Sequence, residues 1–294
     1  MTKFGVHSLV FGDEWNAHSA LRTCHTAARI GYELIEVLMF NPATMDREAT
    51  RRAIRETGLG LRLGIAPGPD ADISSGDPAN AARGEATIAV ALEIAADLGA
   101  PGVSGICYAA FNSYAAPQTD RQVEQVAEAL VRLDRRAGEL GLRLGVEPVN
   151  RYESYMVNTL DQATALIERA GGQNMFVHMD TFHMHIEEPD MTAAIQRNAG
   201  RLDYAHVADS HRGALGTGNF DLRRFLRALA AVGYTGDLTF EGFSSRVLGP
   251  DVVGGVRLWR EGWTDSIAVA RSALDLLRAE WMAACAATVA PPGK

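Results

Sequence analysis

Short apolar runs alternate with longer amphipathic segments from the first residues to about residue 280. The short runs are rich in β-branched and aromatic residues, which favour strands, whereas the longer segments place Ala, Leu, Arg and Glu at helical spacing. The alternation predicts βα units around a parallel sheet, and eight units predict an α/β fold of the (β/α)8 TIM barrel type. The predicted strands are residues 4–8, 32–38, 61–67, 102–106, 142–149, 175–181, 202–209 and 238–243.

Glycine follows most of the predicted helices, in the segments ARIGY, RETGLG, ADLGA, GELGLR, ERAGG and AAVGY. Glycine adopts positive φ without a steric penalty, so it commonly ends helices. The sequence LGLRLG occurs at residues 59–64 and again at 140–145, each time where a helix end runs into a strand. This match is consistent with a repeated βα unit.

The length and composition fit one domain. A chain of 294 residues with 47% hydrophobic side chains can bury one large core, and barrels of this type use about 250 residues. No Ser/Gly/Pro-rich linker divides the sequence, so residues 1–294 are predicted to form a single domain. Residues 244–263 form a long loop after the eighth strand, which we expect to be functional. The Ala-rich, Pro-ended tail at 287–294 is expected to fray.

Charge and cysteine content argue against several classes of protein. The net charge of -8 and the pI near 5.5 do not fit a nucleic-acid-binding protein, which needs a basic face. Three scattered cysteines without a CxxC motif indicate neither a disulfide scaffold nor a cysteine zinc site. The start MTKFGVHSLVFGDEW has no apolar leader segment, and no uncharged apolar run of about 18 residues is present. We therefore expect a cytoplasmic protein with neither a membrane nor a nucleic-acid partner.

Four polar residues interrupt apolar stretches late in predicted strands five to eight. They are Glu147 in LRLGVEPV, Asp180 in MFVHMDTFH, His206 in LDYAHVAD and Glu241 in DLTFEGF. A charge in such surroundings is costly unless it is paired or binds a metal. Catalytic groups of a parallel barrel lie at the carboxyl ends of the strands, so the four side chains are expected to meet. Three carboxylates and an imidazole suit Mn²⁺, Mg²⁺ or Co²⁺. The alternative is that each residue is hydrogen-bonded or solvated on its own.

Longer segments around these residues carry a family resemblance. The segments EPVNRYE, HMDTFHMHIEE, HVADSHRG and FEGF resemble those of the ketose 3-epimerases, the D-tagatose 3-epimerase and D-psicose (allulose) 3-epimerase group. The intervals of 33, 26 and 35 residues between the four polar residues also match. The resemblance covers nearly the whole chain and implies a xylose-isomerase-like barrel, a free ketose as substrate and a homodimer or homotetramer.

The resemblance also implies roles for individual residues. It implies that Mn²⁺ or a related cation binds through the four polar residues, with Glu147 and Glu241 doubling as catalytic acid and base. Glu153, His183 and Arg212 match the substrate-holding residues of the family. Inverting a ketose at C3 requires removing a proton next to the C2 carbonyl and returning one to the opposite face, which two carboxylates can do. A cation would polarise the carbonyl and stabilise the cis-enediolate.

Aromatic side chains in the predicted loops at the barrel mouth are candidates for the wall of a sugar pocket. Their ring faces pack on sugar C–H surfaces and exclude water. The candidates are Phe11, Trp15, Tyr108, Phe111 and Phe243, whereas ordinary loop packing is favoured for Tyr114. The family often places a tryptophan after strand four, where this chain has Tyr108 and Phe111, so recognition of the far end of the substrate is left open.

Other signals are interpreted as structural. His178 shares strand parity with Asp180 and is expected to be a hydrogen-bonded core histidine one layer lower. Asp221 is predicted to be a helix N-cap. The glycine-rich residues 213–218 lack the GxGxxG spacing and the βαβ context of a dinucleotide site, so a tight loop is expected.

Three alternative functions remain open at this point. An aldose–ketose isomerase or a polyol dehydratase would use the same barrel and cation with a different proton path. A metal-dependent phosphodiesterase acting at abasic sites in DNA would need more histidines and a basic face. A non-catalytic sugar-binding protein would need no pair of acid and base.

Overall fold

Eight parallel strands close into a barrel in sequence order in the computed structural model, which describes residues 2–289. Each strand pairs with the next, and the eighth pairs with the first. The predicted (β/α)8 fold is confirmed. The strands are β1 (Phe4–His7), β2 (Leu34–Met39), β3 (Gly60–Ile65), β4 (Gly102–Gly105), β5 (Arg143–Val146), β6 (Met175–Asp180), β7 (Leu202–Val207) and β8 (Asp237–Phe240).

Ten α-helices lie within residues 2–289, and most of them connect successive strands on the outside of the barrel. None of them is both long and apolar enough to cross a lipid bilayer. The helices are α1 (Ala17–Ile30), α2 (Arg47–Thr57), α3 (Pro78–Leu98), α4 (Asp120–Glu139), α5 (Leu160–Arg169), α6 (Thr181–Glu187), α7 (Met191–Asn198), α8 (Leu222–Ala231), α9 (Pro250–Gly255) and α10 (Ser266–Val289).

Local sequence signals determine where the helices begin and end. The side chain of Asp221 accepts a hydrogen bond from the Arg224 backbone N–H at 3.0 Å, which confirms it as the N-cap of α8. Residues 213–218 form turns before this helix. Positive φ is found at a glycine in each of the six predicted helix-end segments: Gly31, Gly58, Gly99, Gly141, Gly171 and Gly233.

The segment after β8 is more ordered than the predicted loop. Residues 244–263 contain the short helix α9. The Ser244 hydroxyl donates to the Trp263 carbonyl at 2.5 Å and accepts from the Trp263 N–H at 3.0 Å, which closes the base of the segment. In the tail that we expected to fray, residues 287–289 continue α10, and residues 290–294 lie outside the described residues.

Small residues on the inner face of the sheet make room for larger side chains inside the barrel. A Cβ at Gly5 of β1 would overlap the side chains of Leu34 and Thr239 from the two neighbouring strands. A Cβ at Gly64 of β3 would lie 2.8 Å from Glu36 Oε1. The two glycines therefore allow polar groups of β2 and β8 to lie in the middle of the barrel.

Candidate active site

Three carboxylates surround one ring nitrogen at the carboxyl end of the barrel. His206 Nδ1 lies 3.6 Å from Glu147 Oε1, 3.6 Å from Asp180 Oδ2 and 3.4 Å from Glu241 Oε1. Ligand atoms about 2.1 Å from a small divalent cation lie about 3.0–3.4 Å from one another. Asp180, His206 and Glu241 form one group whose ligand atoms lie within 4.8 Å of one another. Glu147 joins them through its 3.6 Å contact with His206 Nδ1, so the four side chains singled out in the sequence meet around this nitrogen.

The strand ends position these groups. Asp180 is the last residue of β6 and pairs in register with His206 of β7. Glu147 and Glu241 directly follow β5 and β8, and their backbone N–H groups still donate to carbonyls of the neighbouring strands at 3.1 Å. None of the four residues is more than 8% exposed. The site is thus built on the rigid sheet and not on mobile loop tips.

Three buried atoms of this cluster have no hydrogen-bond partner: Asp180 Oδ2, His206 Nδ1 and Glu241 Oε2. An unpaired buried polar atom costs about 1–3 kcal/mol, and more when the group is charged. A divalent cation at the cluster would satisfy Asp180 Oδ2 and His206 Nδ1, and it would offset the repulsion among the three carboxylates. Glu241 Oε2 instead faces Arg212 Nη2 at 3.3 Å. The donor set therefore fits a divalent metal.

The crowded carboxyl groups have pKa values that shift in opposite directions. Burial and the neighbouring carboxylates raise the pKa of Glu241 to about 8, against the opposing effect of Arg212 and His206. Burial also acts to raise the pKa of Glu147, but His178 and His206 outweigh it, so this pKa is lowered. Two carboxyl groups whose pKa values are pushed apart in one site are typical of an acid and base pair.

Arg212 lies inside the site. It is 7% exposed, and its Nη1 donates to Glu153 Oε1 at 3.0 Å. Its guanidinium carbon lies 4.3 Å from the ring centroid of Phe182 and 5.0 Å from that of Phe243. The backbone of Arg212 has a φ of 54°, which is uncommon for a residue other than glycine. The Arg212 N–H donates to the Asp209 carbonyl at 2.9 Å, which supports this conformation.

His183 lies between Asn150 and Arg212. The Asn150 backbone N–H donates to His183 Nδ1 at 3.0 Å, and His183 Nε2 lies 3.0 Å from Arg212 Nη2. Glu153 Oε1 accepts from both Arg212 and the Asn150 side chain. The three residues that match the substrate-holding positions of the family, Glu153, His183 and Arg212, are therefore brought together beside the four polar residues.

A cavity opens above this cluster, with an empty volume of about 550 Å³ that includes the open space at its mouth. The lining of the cavity combines polar and apolar side chains. The aromatic candidates Phe111 and Phe243 both belong to the apolar lining, as does Val256 from the segment after β8. The polar lining consists of His7, Glu36, Glu147, Glu153, His183, His206, Arg212 and Glu241, with Ser104 beside them.

Three aromatic residues that we expected at the cavity, Phe11, Trp15 and Tyr108, are not among the residues that line it. Trp15 donates from its indole N–H to a hydroxyl of α2 at 2.9 Å and is not part of the cavity lining. Tyr108 is fully buried, and its hydroxyl donates to the backbone carbonyl of Glu147 at 2.9 Å, so it supports the site from behind. Tyr114 packs in its loop as expected, where it stacks on Tyr155 with ring centroids 3.7 Å apart.

His178 differs in part from its expected role. It is fully buried in β6, below Asp180, but neither of its ring nitrogens has a hydrogen-bond partner. Glu147 Oε2 lies 3.7 Å from Nδ1, too far for a hydrogen bond. The expectation of a hydrogen-bonded histidine is therefore wrong. Burial lowers the pKa of His178 to about 4.

Two residues of the cavity were not predicted from the sequence. Glu36 of β2 lies with Oε2 2.6 Å from His206 Nε2. His7 of β1 accepts from the Leu9 N–H through Nδ1 at 3.2 Å, and its ring centroid lies 5.7 Å from that of His206. The signal for Glu36 was present, since it interrupts the apolar run LIEVLM as the other four residues interrupt theirs.

Comparison with known proteins agrees with this geometry. Residues 24–279 match the family model described as xylose isomerase-like TIM barrel. The L-ribulose 3-epimerase of Mesorhizobium japonicum is 39% identical over 277 residues, which are 93% of this chain and 92% of that protein. The ketose 3-epimerase of Arthrobacter globiformis is 36% identical over 264 residues, 90% of this chain and 91% of that protein.

The chain belongs to the ketose 3-epimerases of the xylose isomerase-like TIM barrel family. A solved structure of an L-ribulose 3-epimerase covers 100% of both chains with a TM-score of 0.95 and 37% sequence identity. The resemblance found in the four sequence segments is confirmed. As a ketose 3-epimerase family member, the protein is an enzyme of the isomerase class.

Proposed function

We propose that the protein catalyses the reversible epimerisation of free ketoses at C3, with Glu147 and Glu241 transferring the protons. One observation supports this most directly. Glu147 Oε1 and Glu241 Oε1 lie 3.6 and 3.4 Å from His206 Nδ1, and both glutamates line the cavity. One glutamate takes the C3 proton, and the other returns a proton to the opposite face of the same carbon.

The proposed metal ligands are Glu147, Asp180, His206 and Glu241. The mixed oxygen and nitrogen set favours Mn²⁺, with Mg²⁺ or Co²⁺ as substitutes. A bound cation supplies a Lewis acid that polarises the substrate carbonyl and makes the neighbouring C–H more acidic. Because bound carboxylates are weaker bases, the closeness of each glutamate to C3 becomes decisive.

The substrate oxygens are proposed to bind beside the glutamates, at His183 and Arg212. His183 Nδ1 accepts from the Asn150 N–H, so its ring proton is on Nε2 and faces Arg212 Nη2 at 3.0 Å. Two donors at this distance repel each other unless an acceptor lies between or beside them. A carbonyl or hydroxyl oxygen of a ketose is such an acceptor, and Glu153 can accept from a sugar hydroxyl on the same side.

The apolar side chains that line the cavity are proposed to cover the carbon chain of the sugar and to exclude water from C3. Phe111 and Phe243 are among these lining residues. Ring faces favour the C–H surface of a sugar but read few of its hydroxyl groups. We therefore propose that several ketoses are accepted, of the D-tagatose/D-sorbose, D-fructose/D-allulose and L-ribulose/L-xylulose types, with L-ribulose among the first to test.

The proposed activity is tested by product analysis. The protein is stripped with a chelator, reconstituted with Mn²⁺ and incubated with a panel of ketohexoses and ketopentoses, and the products are separated by chromatography. The C3 epimer of at least one ketose should form, and it should not form with the stripped protein. An aldose as the main product would instead indicate an aldose–ketose isomerase, and loss of water would indicate a dehydratase.

We also propose that the enzyme is a homodimer or homotetramer. Several large apolar side chains are exposed on the single chain, including Tyr152 at 62%, Trp259 at 74% and Met282 at 71%, and exposed apolar surface is typical of protein interfaces. Light scattering coupled to size-exclusion chromatography should give two or four times the mass of 31.6 kDa. A mass of one chain at micromolar concentration would contradict this proposal.

A further inference from the structure

The His206 ring has a second buried carboxylate contact. Its Nδ1 faces the three proposed carboxylate ligands, and its Nε2 faces Glu36. Glu36 Oε2 is 2.6 Å from His206 Nε2 and accepts from the Tyr204 hydroxyl at 2.5 Å. The Tyr204 oxygen lies 2.7 Å from Thr239 Oγ1. Because Tyr204 directs its proton to Glu36, the Thr239 hydroxyl donates to Tyr204. The chain of bonds thus runs from Thr239 through Tyr204 and Glu36 to His206, and all four residues are buried.

This chain of bonds determines which nitrogen of His206 carries a proton. An ionised carboxylate only accepts hydrogen bonds, so the nitrogen facing Glu36 must be the protonated one. Nδ1 is then the ring nitrogen whose lone pair is available to a cation at the cluster of three carboxylates. Nδ1 has no hydrogen-bond partner. This is the state expected for a nitrogen that binds a cation.

The barrel has a place shaped for Glu36. Gly64 of β3 faces it, and a Cβ there would lie 2.8 Å from Glu36 Oε1 and 3.1 Å from the Leu38 side chain. Such a contact is shorter than van der Waals distance, so the carboxylate would have to shift. Glu36 itself is 1% exposed. A carboxylate so deeply buried is costly unless its neighbours compensate it, and His206 and Tyr204 do so.

We propose that Glu36 is a positioning residue of the metal centre, which fixes the tautomer and the ring orientation of His206 so that Nδ1 can bind the cation. In this proposal Glu36 acts through His206, whose Nε2 lies 2.6 Å from Glu36 Oε2. The inference rests on the proposed function, since it requires a cation at the cluster of Glu147, Asp180, His206 and Glu241. Outer partners of metal-binding histidines typically contribute a factor of about 10–100 to metal affinity.

The test measures Mn²⁺ binding directly, by the paramagnetic resonance signal of free Mn²⁺ during titration of the stripped protein. Glu36→Gln retains the shape but removes the charge, and Glu36→Asp retains the charge but withdraws it from His206. Each should weaken Mn²⁺ binding by about 10–100-fold. Each should also reduce the rise in melting temperature that saturating Mn²⁺ gives to the wild type.

A matched control is available in Asp134 of α4, another buried carboxylate, which accepts from the Asn174 N–H at 2.7 Å away from the barrel interior. Asp134→Asn should leave Mn²⁺ affinity within about twofold of the wild type, because it alters only the helix packing. Circular dichroism of the metal-free proteins shows whether each variant is folded. If Glu36→Gln does not fold, Glu36→Asp provides the measurement.

The outcomes separate this inference from the proposed function. Wild-type affinity in the folded Glu36 variants, together with weakened binding in Glu241→Gln, would overturn the role of Glu36 and leave the metal centre in place. A wild-type protein that binds no Mn²⁺, Mg²⁺ or Co²⁺ would overturn both. Weakened binding in the Glu36 variants but not in Asp134→Asn would support the proposal.

Discussion

Arg212 Nη2 lies 3.3 Å from Glu241 Oε2, and the same guanidinium donates through Nη1 to Glu153 Oε1 at 3.0 Å. A single buried cation therefore connects a proposed proton-transferring glutamate with a proposed substrate-holding residue. The contact to Glu241 lacks the alignment of a hydrogen bond, since Glu241 Oε2 has no hydrogen-bond partner. The Nη2 group of Arg212 is thus able to donate to a substrate oxygen without giving up a strong hydrogen bond to Glu241.

The first prediction concerns Arg212→Lys. A lysine ammonium is a point charge and cannot contact Glu153 and Glu241 at once as the planar guanidinium does. We expect kcat/KM for the best ketose to fall about 100-fold, the size of effect seen when one donor to a developing oxyanion is removed. Steady-state kinetics with saturating Mn²⁺ measures this change.

The control for Arg212→Lys is Arg224→Lys on α8. Arg224 pairs with Asp190 at 2.6 Å, but its side chain is 50% exposed, and such surface pairs contribute about 0–1 kcal/mol. Activity should change less than about twofold in this variant. Equal kcat/KM values in the two variants would contradict a special role for Arg212.

The second prediction separates the two glutamates. Glu147→Gln and Glu241→Gln should each stop the interconversion of C3 epimers, because each removes the group that serves one face of the carbon. Any remaining exchange of the C3 hydrogen in deuterium oxide should occur only with the epimer whose hydrogen faces the remaining glutamate. The two variants should therefore act on opposite epimers, as nuclear magnetic resonance of the recovered sugars can show.

Both glutamates are also proposed metal ligands, so the exchange must be measured at a Mn²⁺ concentration that saturates each variant. Glu48→Gln on the exposed surface of α2 is the control, and it should exchange like the wild type. Continued epimerisation by either active-site variant with bound Mn²⁺ would rule out the two-base scheme.

The third prediction is a pH dependence of metal binding. Burial raises the pKa of the Glu241 carboxyl to about 8 in the metal-free protein, so below this pH a cation must displace a proton to bind. Against the opposing effect of burial, the carboxylates around His206 also raise the pKa of this ring well above its ordinary value, so a second proton is displaced there. The Mn²⁺ affinity should therefore rise by about tenfold or more per pH unit from pH 6 to 8. Titrations at pH 6, 7, 8 and 9 measure it. An affinity that is constant across this range would contradict the prediction.

The same shift predicts how the metal-free protein responds to pH. A carboxyl group whose pKa is raised on folding stabilises the folded state below its ordinary pKa, and this contribution is lost as the pH rises through the folded pKa. The melting temperature of the metal-free wild type should therefore fall from pH 5 to 9. Glu241→Gln, which stays neutral, should fall less. Parallel curves for the two proteins would show that Glu241 is not the group responsible.

The sequence predicted the four proposed ligands because each is a charged or polar residue in an apolar strand, at the end where a parallel barrel gathers its functional groups. Glu36 carries the same local signal, yet its role depends on a contact with His206, 170 residues away. Nothing in one strand indicates which distant ring its carboxylate meets. The four proposed ligands were thus predictable from the local sequence pattern, whereas the contact between Glu36 and His206 was not.

The errors at Tyr108 and Trp15 have a related cause. Strand parity tells which way a side chain points only while the strand continues, and β4 ends at Gly105, whose φ of 136° turns the chain. Tyr108 then points to the backbone of Glu147 instead of the cavity. Trp15 lies in a connection whose direction depends on α2, to which its indole binds. Loop side chains need the packed structure before their direction is known.

The last prediction tests the close packing inside the barrel. A Cβ at Gly5 would overlap the Leu34 and Thr239 side chains, which belong to the strands on either side of β1. Both neighbours are in the closed sheet and cannot move far, so Gly5→Ala should lower the free energy of unfolding by about 1–3 kcal/mol. It should also displace Thr239, whose hydroxyl is hydrogen-bonded to that of Tyr204 at 2.7 Å.

Gly68→Ala is the matched control, since Gly68 has a φ of -79° and open space around its Cβ position. This substitution should be neutral or should stabilise the protein by up to about 1 kcal/mol, because alanine restricts the unfolded chain. Chemical denaturation of both metal-free variants gives the two free energies. Equal stabilities would mean that the sheet relaxes around Gly5. In that case the absence of a side chain at residue 5 would not be the reason that the polar groups fit beneath the proposed metal site.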